Sequence, residues 1–278
     1  MKNINFHIDD YGIFPSTDKY ILSLIKLDKI NSISIICNTK FSSYLITKLK
    51  KLINKKKISI SCHINLTDFQ VKKFRFNFIN LLFYSIFPNR EISKIIHKLV
   101  LDQINFFTKK IPIKNNTIYV DGHRHIHILP AVQTEIIKIL KKKKIKYKFR
   151  NSNENFFLYL KLNFLNKLLM NYIKLFIIKL LYLLLNKKKN FFNDIFIGVI
   201  ATGMQHKAII IKCLKKLNLK NKQTAQILFH PLKISKIEIR KFKLNINDYE
   251  YYVSEDRKCE TNFFNSIVSK DSFIKENI

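Results

Sequence analysis

The sequence predicts an α/β fold in which parallel strands close, or nearly close, into a barrel with helices outside. Two observations lead there. Short apolar runs alternate with longer helical patterns through at least six strand–helix units, the signature of a parallel sheet with crossover helices. No G-x-G-x-x-G follows the first strand, so nothing points to an open dinucleotide-binding sheet. A third observation concerns chemistry: acids and imidazoles fall at the ends of four separate strands, and in parallel barrels the carboxyl ends of the strands share the face that carries active sites.

The elements follow in order. "INFHI", Ile4 to Ile8, is a buried strand, followed by a turn at "DDYG". Ser16 to Ile30 has helical spacing, with Ser16 or Thr17 as its cap. Ser32 to Cys37 is the second strand, Phe41 to Leu52 a helix, and Ile58 to Ile64 the third strand. Ile92 to Phe107 is a helix, Thr117 to Asp121 a strand, and Ala131 to Lys141 a helix after Pro130. Lys146 to Arg150 is a strand, His206 to Leu217 a helix, and Thr224 to His230 a last strand stopped by Pro231. No internal repeat is visible. Because the pattern resumes after it, 151–193 reads as a helical insertion within one domain spanning 1–278.

Composition narrows the function classes. The chain has 278 residues, 47% of them apolar, enough for a sizeable core. Lys plus Arg outnumber Asp plus Glu by 51 to 19, a formal charge of +32, which at face value suggests nucleic acid or an anionic membrane. The excess is mostly Lys and accompanies abundant Asn, Ile and Phe, with four Gly and no Trp, the residue set of an AT-rich coding sequence. Clusters such as "KLKKLINKKK" and "KKKKIKYK" fall at helix ends and turns, so solvated faces explain them and no dedicated nucleic-acid groove is expected. The four cysteines have no CxxC spacing, which excludes a zinc ribbon and points to a reducing compartment. The start, "MKNINFHIDD", turns acidic before any apolar run, so no signal peptide is expected.

One segment invites a membrane reading. Leu168 to Leu185 is largely apolar but interrupted by Asn171, Lys174 and Lys179, and its longest apolar run is far short of the ~20 residues of a span. It reads as an amphipathic helix with a basic stripe, either packed on the core or docked at an anionic interface.

The chemistry concentrates in four motifs. In "HIDDYG", two adjacent carboxylates, Asp9 and Asp10, can serve one as cation ligand and one as free base; the plainer alternative is a helix cap or Asx turn. In "CHINLT", His63 closes a strand and on its own equally suits a core histidine. In "DGHRHIHILP", an extended backbone would put His123, His125 and His127 on one side. The H-x-H spacing suits two ligands, or one ligand and one donor behind it, with Asp121 able to fix an imidazole tautomer. In "LFHP", His230 is a general-acid candidate or a loop histidine. Two imidazoles and a carboxylate favour a divalent metal with open positions, and a spare Asp and His complete the equipment of metal-assisted hydrolysis.

Taken together and in this order, these four motifs resemble the YdjC/ChbG/HpnK family of carbohydrate deacetylases, over most of the chain from Ile4 to about Ile267. The segment "NDIFIGVIATGM", Asn193 to Met204, resembles the hopanoid-associated HpnK branch. The resemblance implies a distorted TIM-like (β/α) barrel and removal of an N-acetyl group from an amino sugar, oligosaccharide or glycolipid. It implies a divalent metal, Mg²⁺ ahead of Zn²⁺, held by Asp10, His63 and His123, with Asp9 as base and His230 as candidate acid. Asp121, His125 and His127 become supporting or substrate-facing residues. Two positions depart from the family pattern: His7 replaces its usual Asn, and Arg124 one of its histidines. The rival readings are a metal phosphoesterase, which needs more ligands, and a non-catalytic basic binder of anionic membrane or nucleic acid. A cytoplasmic protein is expected, peripheral at the inner membrane face through 164–186 and able to pair as a homodimer.

Overall fold

The computed structural model describes residues 3–39, 42–68, 76–159, 165–185, 190–217, 223–234, 237–238 and 254–277. Seven parallel strands form one curled sheet, a half-barrel of TIM-like α/β type flanked by helices, as the sequence predicts. The strands are β1 (Asn3–Tyr11), β2 (Ser32–Ile36), β3 (Ser59–Ile64), β4 (Thr117–Gly122), β5 (Lys146–Phe149), β6 (Ile195–Ile197) and β7 (Thr224–Phe229). Their order across the sheet is β5-β4-β3-β2-β1-β7-β6. Isolated parallel bridges, Phe149 with Phe191 and Glu154 with Phe196, link the β5 side to the β6 side.

The helices are α1 (Pro15–Lys26), α2 (Ser42–Lys55), α3 (Phe78–Ile86), α4 (Arg90–Lys110), α5 (Pro130–Lys142), α6 (Leu165–Leu185), α7 (Lys207–Lys216), α8 (Glu255–Ser266) and α9 (Lys270–Asn277). Helix α1 begins at Pro15, whose fixed φ and missing N–H suit a first helical position, so the expected cap at Ser16 or Thr17 is displaced. Helix α3 was not expected. It carries no charged residue, so no polar face betrays its period. Its boundaries are nonetheless conventional: Asn77 accepts from the Asn80 amide at 2.6 Å, and Pro88 follows its end. Strand β6 has three residues, too short for a pattern.

The core fills the space between sheet and helices. The β1 side chains Ile4, Phe6 and Ile8 are buried, and β2 is buried throughout, Ser32 and Ser34 included, as in a strand covered on both faces. Phe229 of β7 stacks on Phe263 at 5.4 Å, and Phe6 meets Phe273 at 6.0 Å. These contacts dock α8 and α9 on the β1–β7 seam. Gly198 follows β6 with φ +145°, and a Cβ there would approach Leu228 Cβ to 2.5 Å, so this crossing admits only glycine.

No helix among the described residues is long and apolar enough to cross a membrane. Helix α6 corrects the expected amphipathicity. Its polar side faces inward: Asn171 donates to the Ile200 carbonyl at 2.8 Å, and Lys174 lies close enough to Asp9 and Arg124 to feel both charges. Burial, then Arg124, bring the Lys174 ammonium down to about 8. Leu175, Ile178 and Leu181 are buried beside it, while Leu169, Ile173, Phe176, Leu180 and Leu183 face outward.

Candidate active site

Asp9 and Asp10 lie in the last residues of β1, where its pairing with β2 slips between Ile8 and Tyr11. Asp10 takes φ +68°, a left-handed conformation that costs about 1–2 kcal/mol for an L-residue and that Asp tolerates better than most. A bulge of this kind re-aims side chains, and here it sends two neighbouring carboxylates to different partners. The expected turn at "DDYG" is therefore a strand continuation with an irregularity, and Asp18 rather than Asp9 or Asp10 caps the Gly12 amide, at 2.9 Å.

Asp9 turns inward to Arg150, the residue directly after β5. The guanidinium is fully buried and grips both carboxylate oxygens, Nη1 to Oδ2 at 2.8 Å and Nη2 to Oδ1 at 2.7 Å. The same Nη2 reaches Asp121 Oδ2 at 2.5 Å and Ser34 Oγ at 3.1 Å. Burial alone would raise the Asp9 carboxyl, but Arg150 and then His63 hold it well below the usual range. Nη2 also lies 2.5 Å from His7 Nε2. The other ring nitrogen, Nδ1, pairs with Ser32 Oγ at 2.6 Å. Burial and Arg150 keep this imidazole neutral. His7 thus stands 2.9 Å from Asp9 Oδ1 as part of its support.

Asp10 turns to the opposite side. Its Oδ1 lies 2.8 Å from His123 Nδ1 and 3.4 Å from His63 Nε2. His63 is anchored from behind, with Asp121 Oδ1 at 2.7 Å from its Nδ1, and Asp121 in turn accepts from Ser34 Oγ. Asp121 therefore orients His63, across the β3–β4 register that sets the two residues side by side, and not the histidine two positions along its own strand. Burial opposes a charge on His63, but Asp9, Asp121 and Asp10 outweigh it and raise the imidazole to about 10. His123 is raised in the same way by Asp10, against burial. Its Nε2 meets Asp68 at 3.0 Å, and Asp68 also binds Arg124 Nε at 2.7 Å.

The three-histidine run is not extended. After Gly122 the backbone folds into 3-10 turns over His123–Ile128, with Arg124 and His125 at φ +53° and +61°, so the expected alternation fails. Gly122 permits the fold-back, since a Cβ there would come within 2.9 Å of the His127 amide nitrogen. His123 meets Asp10 and Asp68, whereas His127 turns away from them, Nε2 to the Arg150 carbonyl at 3.2 Å. His125 lies between, Nδ1 to Ser152 Oγ at 3.0 Å and its ring edge-on to Phe196. Burial lowers His127 to about 3 and holds His125 well below its ordinary value. Both are neutral supports, and neither joins the Asp10–His63–His123 set.

His230 follows β7. Helix α8 holds its backbone from both sides: Glu260 accepts from its amide, and Arg257 Nη1 donates to its carbonyl at 3.0 Å. Nε2 stands 3.9 Å from Asp9 Oδ2, and both side chains line a cleft with Asp10, Pro231 and Arg257. Burial and the Arg257 cation lower the imidazole to about 3. His230 is therefore neutral at rest, where the sequence reading wanted an imidazolium.

Among the described residues, two donor sets could hold a cation. Asp10, His63 and His123 each offer a ligand atom within 4.8 Å of the others. Ligands about 2.1 Å from one ion at tetrahedral or octahedral angles stand roughly 3.0–3.4 Å apart, so the 2.8 and 3.4 Å separations fit with small adjustments. One acid with two imidazoles suits a divalent ion with open positions. His7, Asp9 and Asp121 form the second set, but Arg150 already supplies its positive charge. Sequence reasoning missed Arg150, Asp68, Ser34 and the grip of α8 on His230.

A YdjC-like protein family model matches residues 3–272. No curated protein matches the sequence. Among solved structures, a candidate cellobiose-phosphate cleavage protein from Enterococcus faecalis superposes with TM-score 0.62 at 14% identity, over 99% of this chain and 95% of that one, which shows a shared fold. A lactam utilization protein from Thermus thermophilus scores 0.31 at 12% identity over 55% and 68% of the two chains. A D-psicose 3-epimerase from Clostridium cellulolyticum scores 0.34 at 9% over 95% and 99%. With 3–272 matched and the motif residues of four strand ends gathered around Asp9 and Asp10, the chain belongs to the YdjC-like family.

Proposed function

We propose that this protein is a metal-dependent hydrolase that removes an N-acetyl group from an amino sugar, oligosaccharide or glycolipid. The observation that carries the reading is the pairing of an Asp10–His63–His123 donor set with an ionised carboxylate, Asp9, whose Oδ2 lies 3.9 Å from both His63 Nε2 and His230 Nε2. A divalent ion in that set, Mg²⁺ ahead of Zn²⁺, would supply Lewis acidity towards the acetyl carbonyl and the attacking water.

The chain's own groups divide the remaining work. Arg150 holds Asp9 ionised and in one orientation, so Oδ2 is the atom placed to take a proton from the water as its oxygen attacks the acetyl carbon. A carboxylate of such low proton affinity suits only an acidified water. The C–N bond then breaks, acetate leaves, and the nitrogen takes a proton to depart as an amine. His230 Nε2 is the group placed to relay the proton held by Asp9 to that nitrogen, cycling from neutral imidazole and back. Lys174 adds a positive charge near Asp9, suited to product acetate or to anionic groups on the substrate.

The resemblance of 193–204 to the HpnK branch favours a glycolipid acceptor. Occupation of the His7–Asp9–Asp121 set by Arg150 weighs against a phosphoesterase needing two or three ions. The test is acetate release from N-acetylated sugars and glycolipids by chelated protein to which Mg²⁺ or Zn²⁺ is returned. Equal acetate release by Asp9→Asn would remove Asp9 from the role of base.

A further inference from the structure

Most of the large apolar side chains left exposed lie on α6 and α3 with its C-terminal cap. On α6, Leu169, Ile173, Phe176, Leu180 and Leu183 recur four and three residues apart, which aligns them in one stripe, and each is 45 to 82% exposed. On α3, Ile79, Phe83 and Ile86 do the same, at 54 to 73%. Monomeric soluble proteins rarely leave such stripes bare. Both helices pack against the His123–Ile128 segment, which carries His123 of the donor set.

Charge selects the occupant. Besides the inward Lys174, helix α6 contains Lys167 and Lys179 and no acid, and Lys187 to Lys189 follow it in the sequence. Helix α3 has no charged residue, and Lys72, Lys73 and Arg75 precede it in the sequence. On the structure, Arg124 between the two helices is half exposed. Near α6, Lys179 lies over the Phe156 ring and Lys216 donates to the carbonyl of the exposed Phe157. A second copy of a chain carrying +32 would bring like charges together, whereas an anionic surface gains from them.

We propose that the outward faces of α6 and α3 dock the protein on an anionic lipid bilayer. Apolar residues enter the headgroup boundary while the flanking cations meet lipid phosphates, the arrangement of a helix lying in the interface plane. The proposal rests on these two helices and stands apart from the reaction proposed for the cleft.

The experiment is co-sedimentation of the full chain with vesicles of phosphatidylcholine alone and of phosphatidylcholine mixed with phosphatidylglycerol. Each cation near an anionic surface contributes about fivefold, so mixed vesicles should bind at least about tenfold more tightly, with the difference collapsing in high salt. Ile173→Ser, Phe176→Ser and Leu183→Ser combined should cut binding at least about tenfold and leave the melting temperature and metal binding intact, because all three side chains are exposed. Equal binding by the triple variant overturns the proposal, as does failure of the wild type to bind mixed vesicles. A wild-type dimer in sedimentation velocity that the triple variant converts to monomer, without vesicle binding, assigns the stripe to a second copy and overturns it equally.

Discussion

Replacing Arg150 by Met removes a fully buried cation from between two buried carboxylates while keeping most of the side chain's volume. Asp9 then loses two hydrogen bonds and Asp121 its 2.5 Å ion pair. Breaking a buried pair from one side costs about 3–5 kcal/mol, because the surviving charge stays buried. That is a large part of the 5–15 kcal/mol by which domains are stable. The sign with pH is specific. In the wild type both carboxyls are held below their ordinary value by Arg150, so their contribution is present at neutral pH and is lost as pH falls below about 4. Without Arg150, burial dominates and lifts them above that value, so the variant should be destabilised as pH rises from about 4 toward neutrality. Urea denaturation of both proteins at pH 4.5 and pH 7 reads this directly. The expected deficit is about 3–5 kcal/mol at pH 7 and visibly smaller at pH 4.5, with activity lost at both. A deficit under about 1 kcal/mol, equal at the two pH values, would refute the argument that Arg150 neutralises this pair.

Other consequences are independent of that one. His63 is raised to about 10 and His123 is raised as well, so a divalent ion must displace their protons; titration calorimetry in buffers of different ionisation enthalpy should show one to two protons released per ion at pH 7, and zero release would exclude these ligands. Asp121→Asn should weaken metal affinity about 10–100-fold by freeing His63, measured by competition with a chelator, whereas His125→Ala should leave affinity within about threefold. Gly122→Ala drives a methyl against the His127 backbone and should lower both the melting temperature and metal affinity, since His123 moves with the turn. Glu154→Gln replaces a buried carboxylate that accepts the amides of Gly198, Val199 and Ile200, and should cost about 2–3 kcal/mol in urea denaturation.

The fold was legible because short segments rich in β-branched and aromatic residues, at β1, β2, β3, β4 and β7, alternate with longer helical spacing. Helix α3 and strand β6 were illegible for opposite reasons, one without a polar face and the other with only three residues. Helices α8 and α9 lie beyond Pro231, where no strand among the described residues follows to mark an alternation. Within the site, Asp9, Asp10, His63, His123 and His230 were found because scarce residue types at strand ends stand out. Arg150 also ends a strand but was hidden among 51 basic residues. The fold-back of "GHRHIH" was hidden because positive φ at Arg124 and His125 is imposed by packing under Gly122, and neither residue type announces it. The orientation of α6 was inverted because Lys174 goes inward to the acids of the cleft, a tertiary contact that overrides the rule of charged residues outside.

The central claim is settled most directly by following acetate and free amine together from an N-acetylated amino sugar or glycolipid, with metal returned to chelated wild type and to Asp9→Asn. The account predicts equal amounts of acetate and amine from the wild type, dependence on the ion, and a loss of about 10²–10⁴ in rate for Asp9→Asn with the ion still bound. Release of phosphate or a split glycosidic bond without acetate, or an Asp9→Asn enzyme as fast as the wild type, would contradict it.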